Sequence, residues 1–367
     1  MDYNSLKKMV YRPLIPKPDN FTPKERTPWG GIKIPQKYKK WLNLPKDLIV
    51  GESWEISGHP TFPSKFILPD RNEKSEITLP ELLQLFPKEI LGETLVAKFN
   101  HQIPIMIKLL DATKNLSVQV HPDDGYIHLS PSETGKTEAW YIVEAEPGCG
   151  LYLGIRENVT PVQLRKALER GEDISIYLNF VPVHAGEMYF IAAGTIHAIG
   201  KGVTLIEPQQ TSQITYRFWD WNHRYNEKGE FDINGKPRPL HIEDSFAVTN
   251  FNTARGQQFI NQMKAQPRLI HQDHENMVFL LLRKKHFVIE KVTLNETVPF
   301  KQSKPDVFQT LTVISGEVDL TFQTIGKEEN VIIPMGQSVL IPAVLNEISL
   351  RRHSTEVAEI IKVHYPL

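Results

Sequence analysis

LSVQVHPDD, residues 116–124, is the stretch on which the reading of this chain turns. In it Ser117, Gln119 and His121 alternate with Leu116, Val118 and Val120. Successive side chains of a β-strand point to opposite faces, so the polar residues share one face and the apolar residues the other. A polar face made of Gln and His belongs to something enclosed, such as the lumen of a small barrel holding an ion. Two more short motifs, each reading as a strand or strand edge, complete the set: Glu138 in GKTEAWYIV and His197 in FIAAGTIHAIG. Two neutral imidazoles, one carboxylate and one amide oxygen suit a divalent transition metal that keeps a position open for substrate.

Outward from these motifs the chain reads as strand-rich. Residues 1 to about 45, rich in Pro, Lys and Arg, read as an extended wrap. TLPELLQLFPKEILG predicts a helix capped by Thr78 with Pro80 near its start, and TPVQLRKALERG one capped by Thr160, opened by Pro161 and ended by Gly171. Strand-like runs return after about residue 183, and a faint internal repeat joins VHAGEMYFIAAGTIHAI to VIIPMGQSVLIPAVLNEISL. The second copy carries Asn346 and Glu347 where the first has His197, and no ligand pair lies upstream of it. The expected fold is therefore mainly β: two related β-barrels with a few short helices and the metal in the N-terminal barrel. Residues 1–249 form the metal-binding unit, 250–275 a connector, and 276–367 a second barrel without metal.

The 367 residues are enough for two domains, and a hydrophobic content of 40% with 23% charged residues is ordinary for a soluble globular protein. A formal net charge of −1 argues against a general nucleic-acid or anionic-membrane binder. Twenty-seven prolines and twenty-one glycines fit many turns. The single cysteine, Cys149, precludes an intrachain disulfide and reads as a buried or edge residue rather than a nucleophile. The N-terminal stretch MDYNSLKKMVYRPLIPKPDN has no apolar core of signal-peptide length and no apolar run approaches a membrane span, so the simplest expected location is cytoplasmic.

At these residues the chain resembles the type I mannose-6-phosphate isomerases, in particular the short bacterial form, a family built on the cupin jelly-roll β-barrel. The resemblance runs from Arg26, Trp29, Gly30 and Gly31 through GESWEIS, IPIMIKLLDATKNLSVQVHPDD, GKTEAWYI, GTIHAIGKG and EPQQTSQITYRFWDW to RPLHIEDSF. It covers about the first 245 residues; the C-terminal third is similar to the family's second cupin only loosely. Carried over motif by motif, it implies zinc, one ion per chain, on Gln119, His121, Glu138 and His197. It implies a catalytic arginine at Arg217, an acid/base at Glu207, a lysine at Lys136, and phosphate contacts at Lys108 and Ser117. Two positions depart from the pattern. The family's acid four residues before the arginine is Gln213 here, and Ala192 stands where cupins often have proline.

Interconverting an aldose phosphate and a ketose phosphate moves a proton between C1 and C2 through an enediol(ate). That needs a base in reach of the proton, positive charge facing the nascent oxyanion, and a cation for the phosphate. The resemblance thus implies a mannose 6-phosphate/fructose 6-phosphate isomerase with a small-molecule substrate, working as a monomer or homodimer. Two other functions compete: an iron oxygenase built on a two-His, one-Glu triad, and a non-catalytic sugar-binding or regulatory cupin. Gln119 and the pair Lys136 and Arg217 weigh against the first; the retained ligands and Arg217 weigh against the second. Asp123 and Asp124 read as turn formers, and GKT at 135–137 lacks the glycine a P-loop needs. His59, His101, His128, His184, His223 and His241 read as isolated surface or core residues. On a strand, Gln213 would share a face with Arg217 and hold it through an amide–guanidinium hydrogen bond.

Overall fold

The computed structural model describes residues 3–68, 75–130, 133–273, 276–295, 299–303, 306–324 and 326–367. In its N-terminal part the strands are β1 (Glu52–Ile56), β2 (Lys65–Ile67), β3 (Glu76–Thr78), β4 (Ile105–Ala112), β5 (Val118–Val120), β6 (Glu138–Ala145), β7 (Gly150–Ile155), β8 (Leu178–Pro182), β9 (Met188–Ile191), β10 (His197–Ile199), β11 (Val203–Gln210) and β12 (Tyr216–Trp219). Sheet I has the order β1-β4-β11-β6-β9, sheet II the order β12-β5-β10-β7-β8, and β2 and β3 form a small ladder of their own. In the C-terminal part β13 (Arg268–Asp273), β14 (Asn276–Arg283), β15 (Val288–Leu294), β16 (Phe300–Ser303), β17 (Gln309–Ser315), β18 (Val318–Thr324), β19 (Lys327–Ile333), β20 (Ser338–Ile341), β21 (Glu347–Arg352) and β22 (Ala358–His364) follow. They make sheet III, β13-β14-β15-β22-β17-β20, and sheet IV, β16-β21-β18-β19.

The expected closed barrels are therefore corrected. Strands dominate and the helices are few and short, but among the described residues no sheet closes on itself; each unit is a pair of open sheets face to face. Closure of the first unit would need the ladder to pass between sheets I and II at their edges. Other segments occupy those edges instead. At β1, Thr22 N donates to Glu52 O (3.0 Å) and Trp54 N to Asn20 O (2.9 Å); at β9, Ala265 N donates to Met188 O (2.8 Å); at β12, His241 N donates to Arg217 O (2.8 Å). Alternation in the sequence specifies the two faces of a strand but not what pairs with its edge, and here irregular chain covers the edges.

Both predicted helices form where their caps place them. Thr78 caps Leu79–Leu85 in a reciprocal arrangement with Glu81, and Pro87 breaks the predicted helix so that Pro87–Leu91 is a separate short one. Thr160 and Gln163 cap Pro161–Glu169 in the same way, and Gly171 beyond it has φ +68°. The segment 250–275, read as a connector, includes the helix Gly256–Met263 and strand β13.

Sheet I is covered on both faces. Its inner face meets sheet II through Leu110, Ile142, Leu151, Leu153, Val203 and Leu205. Its outer face, with Ile107, Leu109, Tyr141 and Ile206, shares a core with Phe287, Ile289, Ile361 and Val363 of the C-terminal unit. The outer face of sheet II, Val118 and Val120 included, packs on Leu164, Leu168 and Phe246 from two helices. The N-terminal wrap straps the two units together. Leu14 pairs with Leu340, Gly30 with Ala112, and Gln337 Nε2 donates to Pro16 O (3.3 Å). Lys39, fully buried, pairs with Glu55 on β1 (2.5 Å) and fixes the strap to sheet I.

Candidate metal centre and active-site cavity

The space between sheets I and II is apolar at one end and polar at the other, where it opens into a cavity of about 350 Å³. Sheet II delivers Gln119 on β5, His121 just beyond it, and His197 at the start of β10. His197 lies opposite Gln119 in the ladder, and Arg217 on β12 pairs with Gln119 from the other side. Sheet I delivers Glu138 on β6, Lys108 on β4 and Glu207 on β11, where Glu207 faces Lys108 and Gln209 faces Glu138.

His121, Glu138 and His197 are all buried, and their ligand atoms lie within 4.8 Å of one another. His197 Nε2 is 3.2 Å and His121 Nε2 3.7 Å from Glu138 Oε1. Backbone carbonyls fix both rings: His121 Nδ1 donates to Ile214 O (2.7 Å) and His197 Nδ1 to Thr195 O (2.9 Å). With the proton held on Nδ1, each Nε2 turns a lone pair inward, the tautomer a metal ligand needs. Burial holds both imidazoles below their usual range, His121 at about 3, so neither is cationic at neutral pH. Burial would raise Glu138, but the Lys136 ammonium beside it holds its carboxyl well below the carboxylate range. Glu138 Oε1 is buried and accepts no hydrogen bond. An orphaned anionic oxygen facing two imidazole lone pairs is costly alone and satisfied by a divalent cation, so the residues fit a metal.

The fourth expected ligand sits beside this triad. Gln119 Nε2 is 3.4 Å from His197 Nε2, while its Oε1 accepts from Ser117 Oγ (3.1 Å). Turning the amide over exchanges the two atoms and leaves Ser117 satisfied, because a hydroxyl accepts as well as donates. Ser117 therefore touches Gln119 in this structure as well as lining the cavity.

Lys136 Nζ, buried, donates to Glu138 Oε2 (2.7 Å) and lies 3.0 Å from His121 Nε2. Burial opposes its charge, but Glu138, Glu207 and Glu52 outweigh it and raise its pKa. Glu207 accepts from Trp140 Nε1 (3.0 Å) and lies 3.7 Å from Lys108 Nζ. Burial first, and the nearby Glu138 charge second, push Glu207 up to about 7. Arg217 donates through Nη1 to Pro239 O (2.8 Å), and its buried Nε has no hydrogen-bond partner. Burial and the neighbouring Arg238 lower it to about 10, still cationic at neutral pH.

Sequence reasoning missed several groups. Glu52 lies 3.6 Å from Lys108, whose ammonium sits 4.5 Å from the Trp54 ring centre. Arg238 lines the cavity, held by both oxygens of Asp220 (2.5 and 2.7 Å). His241, read as isolated, accepts from Arg217 N (3.2 Å). Gln213 lines the cavity but does not hold Arg217: it accepts from Arg26, and its Nε2 lies 2.6 Å from His59 Nδ1. The strand begins only at Tyr216, so the alternation that would have set Gln213 beside Arg217 does not extend that far. GESWEIS and RPLHIED contain Glu52 and Arg238 in plain view, yet nothing local marks them as cavity-facing. Of the two expected turn formers, Asp123 behaves as one, accepting from Gly125 N (2.7 Å), whereas Asp124 accepts from the distant Gly135 N (3.1 Å) and Gln210 Nε2 (2.8 Å).

The fold and site define a β-sheet protein with a two-His, one-carboxylate metal centre inside an anion-friendly cavity. Residues 25–141 match the family model for the phosphomannose isomerase type I catalytic domain. The chain is 30% identical over 311 residues to the mannose-6-phosphate isomerase of Streptococcus mutans, covering 83% of this chain and 88% of that one. It is 30% identical over 348 residues to the mannose-6-phosphate isomerase ManA of Bacillus subtilis, covering 94% and 98%. The crystal structure of mannose 6-phosphate isomerase from Bacillus subtilis has the same fold, with a TM-score of 0.76 over 96% of this chain and 99% of that one at 24% identity. The chain belongs to the type I phosphomannose isomerase family. Among the described residues no helix is long and apolar enough to cross a membrane.

Proposed function

We infer that this protein is a metal-dependent aldose–ketose isomerase interconverting mannose 6-phosphate and fructose 6-phosphate through an enediol(ate). The observation that carries this reading is the buried cluster of His121, Glu138 and His197, joined through His197 to a cavity that Lys136, Glu207, Lys108 and Arg217 also line. The cavity volume falls within the ~300–1,000 Å³ usual for small-molecule sites.

The metal would be held by His121, Glu138 and His197 with Gln119 as fourth ligand, and we take it to be zinc, one ion per chain. When bound, it supplies Lewis-acid polarisation to sugar oxygens. The remaining steps belong to side chains. Glu207, with a pKa of about 7, is divided between carboxylate and acid near neutrality, as a group that takes a proton from C2 and returns it to C1 must be. Lys136 places an ammonium beside the same cluster to stabilise oxygen as it becomes anionic. Arg217, whose Nε is unpartnered, offers a planar donor set to a second anionic oxygen. Lys108 and Ser117 face the cavity with a charge and a hydroxyl for the phosphate. The same reading places catalysis in residues 1–249 and none in 276–367, which 250–275 connects, with the enzyme cytoplasmic and acting as a monomer or homodimer. A coupled assay on mannose 6-phosphate before and after chelation, with metal content measured on the same sample, tests it. Turnover that survives complete metal removal refutes it.

A further inference from the structure

Lys136 reaches the metal-binding cluster because the backbone around it is held at three consecutive amides. Gly135 N donates to Asp124 Oδ1 (3.1 Å), Lys136 N to Pro122 O (3.0 Å), and Thr137 N to Gln210 Oε1 (2.9 Å). The two side chains of this grip are joined, since Gln210 Nε2 donates to Asp124 Oδ1 (2.8 Å). The fit is close: a Cβ on Gly135 would lie 2.5 Å from Asp123 C and Asp124 N, both backbone atoms. The glycine of the GKT motif is there for that approach and not for phosphate. The other oxygen of Asp124 faces the C-terminal unit. Lys285 Nζ is 3.5 Å and His286 Nε2 4.0 Å from Asp124 Oδ2, both from the turn between β14 and β15.

We propose that Asp124, acting with Gln210, is a positioning residue that sets Lys136 against Glu138 and His121, and that Lys285 and His286 bring the C-terminal unit into this setting. The proposal rests on the isomerase reading above and deepens it. One carboxylate ties three elements together: the loop that carries Lys136, strand β11 that carries Glu207, and a turn of the second unit. Removing Asp124 frees Gly135 N and Gln210 Nε2 together, so the peptide that aims Lys136 loses one support and its neighbour loses an anchor. A displacement of about 1 Å at a catalytic group costs on the order of a hundredfold in rate.

The test is a set of double-mutant cycles on the metal-loaded full chain, reading kcat and KM on mannose 6-phosphate together with metal content. Asp124→Ala should lower kcat about ten- to a hundredfold, with KM within about threefold and metal retained. Asp124→Asn keeps an oxygen for Gly135 and Gln210 and should stay within about threefold of wild type. In a Lys136→Ala background, Asp124→Ala should cost less than about threefold, because the group it positions is gone. Lys285→Ala/His286→Ala should lower kcat about threefold in the wild type and leave it unchanged in Lys136→Ala. If Asp124→Ala does not fold, this surface pair and Asp124→Asn run through the same cycle. Losses that multiply independently of Lys136, or an Asp124→Asn as poor as Asp124→Ala, overturn the positioning role alone. A wild-type protein with full metal and no turnover overturns the isomerase reading and this role with it.

Discussion

Replacing Glu207 by glutamine should make the metal-free protein more stable at alkaline pH while abolishing most of its activity. Glu207 is buried, accepts from Trp140, and has its pKa raised from 4.5 to about 7, by burial first. Because the folded value lies above the unfolded one, the folded state holds this proton more tightly. The resulting stabilisation is fully present below about pH 4.5 and is lost as pH rises through about 7. The total is on the order of 3 kcal/mol, most of it lost between pH 5 and pH 8. Glutamine has no proton to lose, and its amide oxygen can still accept from Trp140. The assay is urea unfolding of chelated wild type and Glu207→Gln at the two pH values, since a bound cation would draw Glu207 towards its ionised form. The stability difference, variant minus wild type, should grow by roughly 2 to 3 kcal/mol from pH 5 to pH 8. Loaded with metal, the variant should keep its ion and lose turnover by about 10²- to 10⁴-fold, the usual contribution of a general acid–base. Parallel stability profiles for the two proteins would refute the argument, because a group that titrates between 4.5 and 7 only on unfolding must make them diverge.

His121→Ala or His197→Ala should take metal content from one ion per chain to almost none, by elemental analysis, and remove nearly all turnover. The circular dichroism should be unchanged, because the core lies on the apolar strand faces. Arg217→Lys should fail to restore function, with kcat down by about 10²-fold, since a flexible ammonium does not replace a planar fork; equal activity would reduce Arg217 to a diffuse electrostatic feature. A fragment of residues 1–250 should aggregate on size exclusion, because it uncovers Ile107, Leu109, Tyr141 and Ile206 on the outer face of sheet I. Gln213→Asp should leave turnover within about an order of magnitude and raise the pKa of His59, which burial now lowers, as followed by NMR titration.

Much of the site was legible because it sits on regular strands. From Ser117 to His121 the polar–apolar alternation assigns the cavity face correctly, and the covered face is the one carrying Val118 and Val120. Helix caps at Thr78 and Thr160 were equally local signals. Sheet closure was not legible, since whether β1 meets β12 depends on Asn20 and Thr22, whose edge contacts leave no periodic trace. Gln213 failed for a related reason: the strand rule was applied in front of Tyr216, where the backbone is irregular and Arg26 arrives from the strap. Glu52 and Arg238 are brought to the site, and His59 to Gln213 at its margin, by tertiary contacts from distant segments, and no spacing in the sequence encodes those.

The strap also sets the order in which this chain can reach its final state. Leu14 pairs with Leu340, and Pro16 accepts from Gln337, 321 residues away in sequence. During synthesis the strap leaves the ribosome before its partners, at ~5–20 residues per second, and has no complete surface to lie on until β20 has been made. Sheets I and II can meet before that, but the edge of β1 stays open until Asn20 and Thr22 settle against it. Contacts of such long sequence separation close slowly, because loop entropy is lost before any bond is gained. The strap around Leu14 is made long before β20 and cannot be fixed until β20 exists.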